Sequence, residues 1–312
     1  MNQERPLIRL YRTRTFGEKM SDTFDFVREN WRPMLKYLTY LLLPVALIQS
    51  FATSNYMTGY MSFVNKIDTT DINAMLPWLS SLGVSLLFNL IAMLLSCALT
   101  YTMMQVYEQR PNRLQGITFG ELSSGVWNKC GRQIVLMVLG GILITILAVA
   151  IIIPLSVASP ALGILGALIV FLLLPLIMLA NPIYLFEKIG VVGAYAKSIR
   201  LGWKTWAGVV AVVTVLYILV TILESVVSIP WYIMVTVKNV FAAQNTEPTF
   251  VSSFGYTVIQ YILGVISNFC ASCLLTLISL GIAYQYGHAC DKVDGVTVDR
   301  DIENFESLNN EV

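Results

Sequence analysis

Two apolar runs, Ile134–Leu155 and Ala161–Ala180, constrain this chain more than any other feature, because neither contains a charged residue. About 20 apolar residues rising 1.5 Å each match a hydrocarbon core of roughly 30 Å. A backbone in lipid must satisfy its own amides and carbonyls, and helical runs this clean do so. The rival reading, a large soluble protein with several buried helices, would need charged faces between the runs. Only 12% of this chain is charged, against roughly a quarter in ordinary soluble domains. The expected fold is therefore all-α and polytopic, with spans near 34–52, 79–103, 133–153, 161–182, 207–229 and 257–284.

The connections are unequal. Residues 53–78 and 230–254 read as moderate loops, and 154–160 as a tight turn carrying Pro154 and Pro160. The connections 104–132 and 185–206 are longer and more charged. Of the 20 Lys and Arg residues, all but Lys66 and Lys238 fall on one side of this layout. Such a bias over short loops is a strong positive-inside signal and puts both termini in the cytoplasm. The first 32 residues carry seven Lys/Arg and no apolar stretch or small-residue cleavage site, so the first span is expected to persist as an anchor. Residues 1–14 read as a basic segment, 15–288 as the membrane domain, and 289–312 as an acidic, disordered cytoplasmic tail.

Thr-Phe-Gly-Glu occurs twice, at Thr15–Glu18 and Thr118–Glu121. Thr-x-x-Glu is a capping box, in which hydroxyl and carboxylate satisfy amides at a helix start. The first copy leads into Phe16, Met20, Phe24, Val27 and Trp31, which share one helix face, with Lys19, Asp22, Asp25, Arg28 and Glu29 opposite. The second leads into Phe119, Leu122, Val126 and Cys130, and a third stripe without a box runs Val192, Ala196, Ile199 and Trp203. Two spans follow each stripe. The reading is three parallel repeats, about 15–107, 118–186 and 190–287, each an amphipathic interfacial helix plus two spans. Such helices can lie in the headgroup layer and favour anionic inner-leaflet lipid, or pack beneath the protein's own spans.

The opening TFGEKMSDTFDFVRENWRPML resembles the start of bacterial membrane-domain proteins related to the membrane part of glycerophosphoryl diester phosphodiesterases. The stretch NPIYLFEKIGVVGAYAKSIRLGWKTWAGVV is similar to that family's segment before its fifth span, with Pro182, Glu187, Ala194, Ser198 and Leu201 at matching positions. The resemblance covers most of residues 15–287. It implies a six-helix bacterial membrane fold of poorly defined function, joined in some relatives to a catalytic phosphodiesterase barrel. No such domain is expected in this chain after residue 290, so the activity does not carry over.

The chemistry is sparse. His288 is the single histidine, which excludes a His pair, and it reads as an ordinary interfacial residue. Cys270 and Cys273 form a CxxC within a span, where neither a four-ligand zinc site nor an accessible redox pair is available. No disulfide framework is expected from the five cysteines. No phosphate loop, dinucleotide fingerprint or nucleophile elbow is present, so no metal, cofactor or catalytic residue is assigned. Gly140-Gly141 and Gly163-x-x-Gly166 read as close-packing sites between helices.

The candidate functional residues are Glu224, Glu187, Ser198, Asn89 and Asn268. Glu224 is the one carboxylate within a predicted span and is expected near the outer end of it, either solvated or acting on a ligand or proton. Asn89, Asn181, Gln260 and Asn268 can bond between helices. Glu187 and Ser198 read as a structural joint on the cytoplasmic side. The leading functional reading is a non-enzymatic protein that organises lipids or partner proteins at the inner leaflet. The alternatives are a permease for a small or lipid-like solute and a lipid-modifying enzyme. Expected partners are the bilayer, anionic lipid and an unidentified protein, with no role for nucleic acid.

Overall fold

Most of the expected spans continue as helix well past the length a bilayer requires. The computed structural model describes residues 6–64, 72–244 and 248–298. The helices are α1 (Phe16–Val64), α2 (Ile72–Gln109), α3 (Phe119–Ala158), α4 (Pro160–Met178), α5 (Ala180–Phe186), α6 (Val191–Lys204), α7 (Trp206–Ala243) and α8 (Phe254–Asp294). Six segments are long and apolar enough to cross a membrane, and no strand occurs among the described residues. The all-helical, multi-pass reading therefore holds.

The boundaries differ from the expected ones. Much of the expected loop 53–78 is helical, as α1 runs to Val64 and α2 begins at Ile72. Likewise α7 crosses Pro230 and continues to Ala243. Pro230 removes one amide donor and crowds the carbonyl four residues before it, which bends a helix without having to end it. The turn expected over 154–160 shrinks to Ser159, with Pro154 inside α3 and Pro160 at the first position of α4. Proline suits that position, where its missing amide would lack a helical partner anyway. Helix α8 reaches Asp294, six residues into the expected tail, and Ala289 and Cys290 are buried. The rest of that tail, from residue 299, lies outside the described residues, as do Arg5 and Lys66.

Kinks sit where proline chemistry puts them. Within α1, Asn30 leaves helical geometry (φ −112°, ψ 16°). Pro33 follows three residues later, and its ring crowds the Glu29 carbonyl. The break between α4 and α5 at Leu179 has the same cause, since Pro182 crowds the carbonyl of Met178.

The chain forms two compact units. The first comprises Met1–Met34, Ala98–Tyr217 and Leu277–Val312, the second Leu35–Cys97 and Ile218–Thr276. In the first unit α3 and α4 form a hairpin, with α4 and α5 both packed on α6. Gly163 lets the hairpin close, because a side chain there would meet the backbone and hydroxyl of Ser156. The outer surface of the hairpin is apolar: Val138, Ile142, Ile146, Val149, Ile164, Leu168 and Phe171 are all exposed.

The second unit is held by small polar residues. The Ser50 hydroxyl donates to the Tyr261 carbonyl at 3.1 Å, and the Tyr261 hydroxyl donates to the Leu47 carbonyl at 2.8 Å. The Ser96 hydroxyl donates to the Ser272 carbonyl at 2.6 Å, and Ser228 and Ser267 share a hydroxyl bond of the same length. Between apolar helices such bonds supply the specificity that hydrophobic burial cannot.

Candidate functional site

The polar residues of the first unit converge around the segment that precedes α1. Arg14 is the hub. Its side chain is 1% exposed, and its Nε donates to Asp22 Oδ2 at 2.6 Å. One terminal nitrogen donates to the carbonyls of Leu10 and Arg12 at 2.8 and 3.2 Å, and the other donates to the carbonyl of Arg9. The guanidinium also lies 4.9 Å from the centre of the Tyr284 ring on α8. Such pairing, with further hydrogen bonds on the remaining donors, is what allows a charge to be buried.

Three further contacts seat the segment. The backbone amide of Arg14 donates to His288 Nδ1 at 2.9 Å, so that nitrogen carries no proton in this arrangement. Leu10 donates its amide to Glu108 Oε1 near the end of α2. Gly287 leaves room for the Leu10 carbonyl, which a Cβ would strike.

From Tyr11 a bonded chain runs outward. The Tyr11 and Tyr286 hydroxyls are 2.9 Å apart, and Tyr286 donates to Glu187 Oε1 at 2.6 Å. Lys197 on α6 donates to the same oxygen at 2.7 Å, and Asp294 accepts from Arg200 at 2.9 Å. Burial pushes the Tyr11 hydroxyl up to about 12, so it keeps its proton at neutral pH. Beside this chain, Glu29 accepts from the Tyr107 hydroxyl at 3.1 Å and pairs with Arg113.

Between the N-terminal segment and α2 lies a cavity of ≈ 170 Å³. Ile8, Leu10 and Tyr11 form one side, and Gln105, Tyr107 and Glu108 another, with Phe26, Phe186 and Tyr284 completing the wall. Behind Gln105, buried Lys129 donates to its Oε1 at 2.8 Å. One turn along α3, the Gln133 side chain is fully buried with both amide atoms unpartnered.

The residues singled out from sequence divide sharply. Glu187 belongs to the network, bound by Lys197 and Tyr286. Ser198 is fully buried and donates to the Leu176 carbonyl at 2.5 Å, holding α6 to α4. Glu224 is exposed among Ile222, Leu223 and Val226 in the middle of α7, which continues past Pro230. Asn89 is also exposed, and its amide returns to the Ser85 carbonyl of its own helix at 3.1 Å. Asn268 likewise bonds Gly264 of its own helix at 2.9 Å. These two asparagines thus bond back within their own helices, whereas Ser50, Ser96 and Tyr261 bond between helices.

Cys270 and Cys273 are free thiols, and no group of three or more His, Cys, Asp or Glu able to hold a metal occurs among the described residues. Residues that the sequence reading missed include Arg14, Glu108, Tyr284 and Tyr286. A signal existed in Ala-Tyr-Gln-Tyr-Gly-His, where α8 switches abruptly from aliphatic to aromatic and polar residues. Comparison with family models, with curated proteins and with solved structures yields no match.

Proposed function

We propose that the chain is a multi-pass protein of a bacterial cytoplasmic membrane, with both termini inside, that organises lipids or partner proteins at the inner leaflet without catalysis. One observation carries this reading. The apolar stripe Phe16, Phe24 and Trp31 on α1 points outward, while the buried face of that helix is Lys19, Thr23, Phe26 and Asn30. A water-facing helix would be built the other way round, whereas a helix in the headgroup layer turns aromatic residues to lipid. The stripe on α6 behaves alike: Val192, Ile199 and Trp203 are exposed, Trp203 to 68%, and Ala194, Ser198 and Leu201 are buried.

The paired state of the polar network supports a non-enzymatic role, since Asp22, Glu29 and Glu187 are each engaged by a cation. Permease chemistry would draw on inward-facing polar groups, and Glu224 and Asn89 face outward. The three repeats are part of this proposal, with unequal support. The first capping box is complete, Thr15 and Glu18 exchanging bonds of 2.7 and 3.3 Å. In the second, Thr118 bonds the Glu121 side chain and no helix amide, and its stripe residues Leu122, Val126 and Cys130 are buried. The proposed kinship with the membrane part of glycerophosphoryl diester phosphodiesterases gains from one joint. Of its five matching positions, Pro182, Ala194, Ser198 and Leu201 are buried and Glu187 is ion-paired.

The test combines two measurements. Variants retaining only Trp31 or only Trp203 are reconstituted with lipids brominated close to the headgroup, and quenching of each indole is expected. Lipid analysis of a deletion strain is run beside crosslinking from native membrane. An unchanged lipid profile with no recovered partner, or indoles that bromine leaves unquenched, would overturn the reading.

A further inference from the structure

A buried lysine without a counterion stands beside the start of α7. Lys19 is 4% exposed, and among the described residues it makes no ion pair and no hydrogen bond. Lysines are almost never buried this far unless paired. Arg14 and Lys292 lie within electrostatic reach of its ammonium and add to the positive charge. Of the carboxylates on the same stretches of α1 and α8, Asp22 is paired with Arg14, and Asp291 accepts from the Thr297 amide. Gln285 on α8 is fully buried. Its Nε2 donates to Thr205 Oγ1 at 3.4 Å, and the Thr205 hydroxyl gives its single proton to the Leu201 carbonyl at 2.9 Å. That hydroxyl can only accept from Gln285, which fixes the orientation of the amide and leaves Oε1 without a partner. Gly208 brings these groups to one point. A Cβ there would lie 3.4 Å from Lys19 Nζ and 3.4 Å from each amide atom of Gln285. The glycine therefore leaves a notch among them, and its partial exposure opens that notch to the surface. Because α7 begins at Trp206, the amides of its first turn also favour negative charge here.

We propose that the notch between Lys19, Gly208 and Gln285 binds a phosphate group. A phosphate oxygen accepts from Lys19 Nζ and supplies the charge that the surroundings lack; lysine meets phosphate as a point charge. Gln285 Oε1 needs a donor, which narrows the ligand further. Either the phosphate carries a proton itself, or a hydroxyl sits beside a phosphate diester. The phosphate can come free from solution or as a lipid headgroup, and both present the same chemistry. The headgroup source rests on the interfacial placement of α1 and α6 proposed above, and exposed Trp203 and Trp206 flank the notch at that depth. The phosphate chemistry does not rest on it.

The experiment uses the purified full chain in uncharged detergent, with thermal unfolding and native mass spectrometry as readouts. Inorganic phosphate, which carries a proton at neutral pH, is expected to raise the midpoint more than sulfate, which carries none, at matched ionic strength. Lys19→Met removes an uncompensated buried charge, so its unliganded midpoint should hold or rise. Its affinity for phosphate should fall about tenfold or more, as expected on losing a charged partner. Gly208→Ala fills the notch and keeps both side chains; it should abolish the response, and it serves if Lys19→Met does not fold. In the lipid arm, phosphatidylglycerol is compared with diacylglycerol, which lacks the phosphate. A response to inorganic phosphate identifies a soluble ligand. Retention of phosphatidylglycerol over diacylglycerol, lost in both variants and without a response to free phosphate, identifies the headgroup. A phosphate response in a chain whose indoles bromine leaves unquenched would sink the interfacial reading and spare the site. A chain ending at Val298 should bind as the full chain does. Binding that appears only on that truncation would give the notch to the acidic tail and overturn the proposal. Binding left unweakened by both variants, or equal stabilisation by phosphate and sulfate with no preference for phosphatidylglycerol, overturns it too.

Discussion

Arg14 faces the Asp22 carboxylate and three backbone carbonyls, whereas buried Lys129 faces the neutral amide of Gln105. Removing one member of a buried pair strands the other, so Arg14→Met is expected to cost about 3–5 kcal/mol. Lys129→Met strands no charge and should change stability by less than about 1 kcal/mol. Thermal unfolding of both variants in one detergent checks the contrast, and equal losses would refute it. Gly287→Ala sets a Cβ against the Leu10 carbonyl. An overpacking cost of about 1–3 kcal/mol follows, and the N-terminal segment should become open to protease. None of these three sites stood out in the sequence. Arg14 looked like one basic residue among many, because its burial depends on Asp22 and Tyr284 at very different separations along the chain.

Each helix start carries its own expectation. Thr15 exchanges bonds with Glu18 across the first turn of α1, so Thr15→Ala should cost about 1 kcal/mol. Thr118 makes no side-chain bond to a helix amide, and Thr118→Ala should cost only a few tenths of that measure. Similar losses at the two sites would mean that the boxes are equivalent. At this scale the helices were legible because apolar runs and proline positions act locally. Their ends were not. Once a helix is established, nothing in an apolar sequence marks where the bilayer surface lies, so α1 and α7 extend through Thr53 and Pro230. The stripe Leu122–Val126–Cys130 has the same period as Phe16–Met20–Phe24, yet the first is buried and the second mostly exposed. Periodicity defines a face, and only the neighbouring helices decide whether that face turns in or out.

Across the whole molecule, a reporter fused at Ser159 should report outside, and reporters at Asn112 and Ser198 inside, as the distribution of Lys and Arg requires. A reversed signal at any one position would break the proposed topology. Of the candidate site, Glu187 and Ser198 were legible because a local resemblance marked them. The cavity was not, since its walls combine residues from the first dozen positions with Tyr284. The seat of the N-terminal segment also bears on biogenesis. Arg14 leaves the ribosome 274 residues before His288, to which its amide bonds. Every span must be inserted before that seat exists, and closing so long a loop costs only modestly more than closing a shorter one. A nascent chain that stops before α8 would therefore lack the Tyr284 ring against Arg14, the His288 nitrogen that its amide meets and the Gly287 notch for the Leu10 carbonyl, so the N-terminal segment is seated last.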